Sequence, residues 1–575
     1  MLKSRLFFLI LISLFSFIKS QEFITTDNLK RGMLLSSRTR MDGNEMVSFK
    51  LKILSVLKNS APGEDAIMAE ILNTNFRETG VVAGMSGSPV YYKGKLAGAI
   101  AYTSSFQKKP VVGITPIKSM LKLLEYEQQN RSNYYKKAAQ IYGLQKIKTP
   151  LAVSGGLYLD NSMIRDILKQ NNDNHFLLLP GGSSSNKNNT NQLQAGDACG
   201  INFVSGDLDI SALGTVTYVS NNMLLAFGHP MQLGGKVNLP LYKASIDAAI
   251  PRLSLSYKLG TITSEIGRIT EDRSAAVLGE IGTYAARVPV NVAINTPVQE
   301  KTLQYSVVKD KKYFSRYAIL VIINSFLHYE SVAEESRLAF EIIFHTDYKK
   351  KKVHIMDIIS MKDNYKSLKA LRAYLGSILN YIEYNRFLPI NVTSIDLRLN
   401  LKNYIDYSYI DDVKYKKKVY HPGEKVNLNV LLKRYKQPLY KTNIILTIPD
   451  GLEDGLYPVM ISSGYFYMST DMYTSPFKYI PESPERFFEL LNVDINEKTL
   501  AVWMYSPSEG CIIKGQQYKR LPVFQKDFIL AAGNAKKAQL YNYTQHQIDL
   551  PFVVLGARMI RLEIRNIRYK SPQEN

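Results

Sequence analysis

The chain has 575 residues, 45% hydrophobic and 21% charged, an ordinary composition for folded protein at a length beyond what one hydrophobic core supports, so several packed units are expected. Its formal charge of +22 comes from scattered lysines without a nucleic-acid-binding motif, which argues against nucleic acid and leaves anionic envelope polymers as the electrostatic option for a partner. The two cysteines, Cys199 and Cys511, belong to no C-x-x-C pair; a thiolate zinc site is excluded and a disulfide between them is the pairing left open.

The chain opens MLKSRLFFLILISLFSFIKSQ. Lys3 and Arg5 precede an apolar run from Leu6 to Ile18, and Ser20 is a small residue ahead of Gln21, so residues 1–20 are expected to form a secretory signal peptide. That run is short for a bilayer span and no later stretch is longer and as apolar. The mature chain is therefore expected to be exported, periplasmic or extracellular, with no transmembrane span. Residues 21–125 read as short strands, as in MVSFKLKILSVL, broken by the turn signals MDGN and APGED. A helical connector and a polar loop are expected over 126–195. The helix is signalled from 118 onward by KSMLKLLEYEQQNRSNYYKKAAQIY, and the loop by PGGSSSNKNNTNQLQ, too poor in apolar anchors to offset its ordering entropy. Strands and tight turns return over 196–345. A helical and β connector over 346–400 contains YKSLKALRAYLGSILNYIEYN, and residues 401–575 read as a β-rich accessory region with sandwich spacing and one short helix capped by Ser483.

Chemistry concentrates in GVVAGMSGSPVYYKGKLAGAIAY, Gly80 to Tyr102. A serine hydroxyl attacks carbonyls only when a base takes its proton and donors hold the oxyanion. In Gly84-Met85-Ser86-Gly87-Ser88-Pro89 the glycines permit a turn in which the amides of Gly84 and Ser86 point at one spot, the form of an oxyanion hole. The strands beyond this turn pair around Lys93-Gly94 and place the serine at the end of a hairpin. Ser88 competes for the nucleophile role, and the position between glycines favours Ser86.

No histidine precedes Ser86, so a base must come from later in the chain. His229, in NMLLAFGHPMQLGG, comes just after a short apolar strand and stands between Gly228 and Pro230, where a side chain can face a cleft. His175 lies in an Asn-rich loop, His328 and His345 end apolar runs, and His354, His421 and His546 fall outside the β-rich first half. The catalytic expectation is thus Ser86 with His229, and a purely structural histidine is the competing account.

Taken together, TGVVAGMSGSPVYYKGKLAGAIAY and GTVTYVSNNMLLAFGHPM resemble the stage IV sporulation protein B (SpoIVB) family of serine peptidases, over roughly Gly32 to Phe344. The resemblance implies a mainly β, chymotrypsin-like double β-barrel with a Ser nucleophile and a His base. In that family the GH segment precedes the GMSGSP segment; here it comes after, which implies a permuted order, the Ser-bearing half first and the His-bearing half second. The family's acid would fall near Asn73, which is no acid, and Asp207, Asp209, Asp247 and Asp272 are the candidates near His229. The implied activity is that of an exported serine endopeptidase working through an acyl-enzyme, with no metal or cofactor and with an envelope protein or peptide, or its own polar loop at 181–194, as substrate. The alternative is a catalytically inactive, peptidase-like envelope scaffold.

Overall fold

The computed structural model describes residues 21–61, 63–74, 76–129, 143–156, 162–168, 176–182, 192–327, 337–360, 364–402, 404, 406–474, 479–492, 497–513, 516–519, 522–531 and 535–566. The expected signal peptide, His175, His328 and residues 183–191 of the polar loop lie outside them. With 53% strand against 18% helix the protein is mainly β. It divides into two compact units, Met1–Arg287 with Ser306–Tyr317, and Val288–Tyr305 with Ala318–Asn575. Among the described residues no helix is long and apolar enough to cross a membrane.

The first unit begins with β1 (Leu34–Arg40), β2 (Met46–Ala61), β3 (Glu64–Ile71), β4 (Val82–Ala83), β5 (Pro89–Tyr92), β6 (Lys95–Thr103) and β7 (Val111–Pro116). Six of these close a ring in the order β1-β2-β3-β7-β6-β5, with β5 returning to β1. Alternation drives the closure: Leu35 on β1, Phe49, Leu51 and Ile53 on β2 and Ile67, Ala69 and Ile71 on β3 all bury inward at every second position. The β5–β6 hairpin turns through Lys93 and Gly94, both at positive φ (47° and 81°), the requirement of a two-residue type I′ turn. Strand β6, KLAGAIAYT, is buried on both faces after its first residue. Its alanines and Gly98 let neighbouring backbone approach, since a Cβ on Gly98 would collide with the carbonyl of Thr115. Helix α1 (Ile117–Gln129) leaves β7 directly and buries Ile117, Met120 and Leu123 at i, i+3, i+6 against Leu225, Ala276 and Leu278.

After α1 come β8 (Gln145–Lys146), β9 (Thr149–Ser154), α2 (Ser162–Leu168) and β10 (Phe176–Pro180), with β9 and β10 parallel. A second ring is then built from β11 (Ala198–Gly206), β12 (Asp209–Ser220), β13 (Met223–Ala226), β14 (Gly235–Ile250), β15 (Ser256–Arg273) and β16 (Ala276–Ile281). Its order is β11-β12-β13-β16-β15-β14, with β14 returning to β11. Counted along each ring, both barrels run first-second-third-sixth-fifth-fourth. The protein is a double β-barrel made of two copies of one topology, the Ser86-bearing copy first. The leftover strand β4 pairs in parallel with the start of β15, Val82 beside Ser256 and Ala83 beside Tyr257. Cys199 on β11 is a buried free thiol, so the disulfide left open by the sequence is not formed; burial pushes this thiol up to about 12.

In the second unit β17 (Arg287–Asn295), β18 (Glu300–Val308), β19 (Arg337–Thr346), β20 (Lys352–Ser360) and β21 (Val392–Lys402) form the order β18-β17-β21-β19-β20, accompanied by α3 (Phe314–Leu327) and α4 (Asn364–Glu383). Beyond it, β22 (Tyr407–Lys414), β24 (Lys425–Arg434), β25 (Tyr440–Thr447) and β30 (Val553–Leu555) form one sheet. A second is made by β23 (Val419–Tyr420), β26 (Gly455–Ser463), β27 (Thr499–Ile513), β28 (Gln516–Lys519), β29 (Ala535–Asp549) and β31 (Ala557–Ile564). Val426, Leu428 and Val430 of the first face Val459, Ile461 and Val502 of the second in a single apolar core, the sandwich that the strand spacing predicts. Helix α5 (Gly464–Thr474) comes after β26, and α6 (Pro484–Leu491) starts with the Ser483 hydroxyl accepting the amide of Arg486 at 3.1 Å.

Candidate active site

Ser86 lies in the connection from the third to the fourth strand of the first ring, and His229 in the connection from the third to the fourth strand of the second. The two residues occupy equivalent places in the two copies.

Past β4 the chain turns through Gly84 (φ 96°) and Gly87 (φ 95°), a backbone region that glycine enters without steric cost. The amide of Met85 bonds the carbonyl of Val82 at 3.0 Å and that of Ser88 the carbonyl of Met85 at 2.9 Å. Space as well as φ demands glycine at 87: a Cβ there would overlap the carbonyl oxygen of Thr215 and stand 2.5 Å from the amide nitrogen of Phe227. The second ring clamps this elbow. The Thr215 amide donates to the carbonyl of Ser86 (2.9 Å), its hydroxyl to that of Gly84 (2.8 Å), and the Thr217 hydroxyl to that of Gly87 (2.7 Å).

On the other side, Phe227 (φ 69°) and Gly228 (φ 67°), just past β13, are both in the left-handed region. For a phenylalanine that is a strained conformation, held here by its neighbours. The double turn sets Gly228 against the carbonyl oxygen of Ile100, which a Cβ would approach to 3.0 Å, and the Gly228 carbonyl accepts the hydroxyl of Thr115 at 2.6 Å. The Gly87 amide donates to that same Ile100 carbonyl at 2.8 Å. The residue after Ser86 thus bonds the Ile100 carbonyl, and the residue before His229 packs close beside it.

His229 is 2% exposed and Ser86 0%. The Nδ1 atom of His229 lies 2.8 Å from the carbonyl oxygen of Pro230. A carbonyl can only accept, so Nδ1 carries the proton and Nε2 is the basic nitrogen. Among the described residues the Oγ of Ser86 has no hydrogen-bond partner, whereas the Oγ of Ser88 is committed to the carbonyl of Met85 at 2.6 Å. Among the described residues the amides of Gly84 and Ser86 donate to no protein acceptor, while those of Met85, Gly87 and Ser88 each do.

The acidic candidates separate by position. Asp272, 0% exposed, accepts the amides of Met231 (2.8 Å), Gln232 (2.9 Å) and Gly234 (2.9 Å). Its carboxylate thus shapes the loop that leaves His229; burial raises its pKa and the three amides oppose the rise. Asp207 and Asp209 sit at the β11–β12 turn, Asp209 bonded to Asn202 at 2.9 Å. They are roughly 20 Å along β12 from Thr215 at the usual strand rise. Asp247 is exposed on β14, 3.5 Å from the hydroxyl of Thr261. Asn73 accepts the amide of Lys50 at 2.9 Å and serves the local turn.

Sequence reading missed Lys258. This side chain is 1% exposed, its stem packs on Gly84, where a Cβ would stand 3.1 Å from its Cδ, and its Nζ donates to Thr39 Oγ1 (2.6 Å) and Thr215 Oγ1 (3.5 Å). Through Thr215 the amine reaches the Gly84 carbonyl. Burial pushes its pKa down to about 7. Nothing around Lys258 in SLSYKLGTI marks it out, because its burial depends on an elbow more than 170 residues earlier.

A groove of about 370 Å³ opens beside β4, walled by Glu78, Gly80 and Val81 upstream of the elbow, by the Phe106 loop and by Leu253 and Ser254. The Ser256 hydroxyl ties its floor to the carbonyl of Thr79. Phe106 is 75% and Leu253 94% exposed at the rim.

Residues 19–121 match the family model of the SpoIVB peptidase S55. The match takes in Gly84, Ser86 and the Lys93–Gly94 hairpin and ends before His229, so the similarity lies in the first barrel. No curated protein and no solved structure matches the chain.

Proposed function

We propose that the protein is an exported serine endopeptidase in which Ser86 is the nucleophile and His229 the general base. The observation that supports this reading is that the Gly87 amide, next to Ser86, donates to the same Ile100 carbonyl against which Gly228, next to His229, packs, while the Ser86 hydroxyl makes no hydrogen bond among the described residues. The Ser86 Oγ attacks a peptide carbonyl as His229 Nε2 takes its proton, and the amides of Gly84 and Ser86 hold the oxyanion. His229 then protonates the leaving amine, and water, deprotonated by the same nitrogen, releases the acyl group. The Pro230 carbonyl fixes the imidazole tautomer, a part of what a triad carboxylate does, and Asp272 holds the loop that carries the ring. The groove beside β4 would take the substrate residues flanking the scissile bond. Substrates in this reading are envelope proteins or peptides, or the chain's own segment at 181–194, and residues 1–20 are removed on export.

A fluorophosphonate probe should label the purified protein, fail on Ser86→Ala, and label His229→Ala far more slowly. Complete burial of Ser86 favours a second reading, a peptidase-like scaffold without activity. Absence of labelling on folded wild-type protein would select it.

A further inference from the structure

We infer that the tip of the β27–β29 arm is a docking surface for an anionic lipid membrane. Strands β27 and β29 pair without interruption from Thr499 opposite Asp549 to Ile513 opposite Ala535, whereas β26 pairs with β27 only as far as Met504. The nine residues from Tyr505 to Ile513 carry the ribbon roughly 30 Å past the last β26 pair, and β28 pairs with its far end at Gly510–Ile513. There the chain forms α7 (Val523–Ala531). Val523, Phe524 and Phe528 are 71%, 82% and 72% exposed. At 100° per residue they lie within an arc of about 140°, interrupted by Asp527.

The surrounding sequence supplies charge of one sign. Among the described residues the same end of the ribbon carries Lys519 on β28, Lys526 on α7 and Lys536 and Lys537 on β29 against Asp527. A soluble polyanion would use the cations but has no need of two exposed phenylalanines. An apolar groove on a protein would use the phenylalanines but gains nothing from such a like-charged surround. An anionic bilayer uses both, its headgroups attracting the lysines and its acyl boundary taking the rings, and a nine-residue helix is long enough to lie in the interface though too short to cross it. This surface is remote in sequence from Ser86, and its role is independent of the peptidase reading.

The test is cosedimentation of the full-length mature chain with vesicles of phosphatidylcholine alone or with phosphatidylglycerol added. Binding is expected to the anionic vesicles, to weaken with salt, to fall at least about tenfold for each ring removed in Phe524→Ser and Phe528→Ser, and to fall in Lys536→Ser/Lys537→Ser. Unchanged binding of the double phenylalanine variant would overturn the inference in favour of charge alone, and so would failure of the wild type to bind. A wild-type dimer without vesicles that becomes monomeric in the same variant would also overturn it, by showing a second copy on this surface. Unfolding midpoints of the variants, which should match wild type because the rings are exposed, separate loss of binding from loss of fold.

Discussion

Lys258→Met should flatten the dependence of stability on pH. In the folded protein burial pushes this amine down to about 7 from an ordinary 10.5. Between those two values the unfolded chain binds a proton that the folded chain does not, so wild-type stability rises with pH across that window and stays at its lower level below about 7. A difference of about 3.5 in pKa, at about 1.4 kcal/mol per pH unit, makes the total cost at neutral pH about 5 kcal/mol. The side chain is 1% exposed, so solvent screening takes little from that figure. Methionine keeps the stem that packs on Gly84 and removes the charge. It also leaves the hydroxyls of Thr39 and Thr215 without the amine, a loss of about 1 kcal/mol that does not vary with pH. The slope, not the offset, is therefore diagnostic. Urea unfolding of wild type and variant at pH 6, 8 and 10 measures it: the variant should gain most at pH 6 and least at pH 10. Parallel wild-type and variant curves across this range would refute the reasoning.

Gly87→Ala should cost about 3 kcal/mol or more, because the added methyl group meets backbone atoms of Thr215 and Phe227. Gly94→Ala, at a similar φ but with open space around it, should cost only about 1 kcal/mol in the same unfolding assay. Asp272→Asn replaces an acceptor of two amides, those of Gln232 and Gly234, with an NH₂ group or forces the same on Met231. Hydrogen exchange at residues 231–234 should accelerate and fluorophosphonate labelling should slow while the first barrel stays protected. In the second unit, burial raises the Asp357 carboxyl to about 6 and Glu497 to about 7, so the folded form keeps protons that the unfolded chain releases near 3.8 and 4.5, and stability falls as pH rises through that interval. Asp357→Asn keeps the oxygen that accepts the amides of Ile358 and Glu497 and removes the charge. It should stabilise by about 3 kcal/mol at pH 8 and by nothing at pH 3, read from thermal unfolding.

The sequence by itself determined what adjacent residues decide. Alternation in MVSFKLKILSVL sets which side chains of β2 face inward, Lys93-Gly94 fixes a two-residue turn, and Ser483 caps its helix, each through contacts within a few positions. Gly84 and Gly87 announce an elbow at Ser86 for the same reason, and Gly-His-Pro marks a turn at His229. Tertiary structure alone decided the rest. The Gly87 amide bonds the Ile100 carbonyl and Gly228 packs beside that carbonyl only after each ring of six strands has closed, and ring closure depends on pairings such as β5 with β1 and β14 with β11. Lys258 is buried because β15 runs behind an elbow from the other barrel, and Asp272 serves three amides about 40 residues away. Ser86 and Ser88 look alike in a string of letters. What separates them is the Met85 carbonyl that takes up the Ser88 hydroxyl and the second barrel that packs over the turn. Such contacts join positions far apart in the chain, where no local pattern of residues encodes the partner.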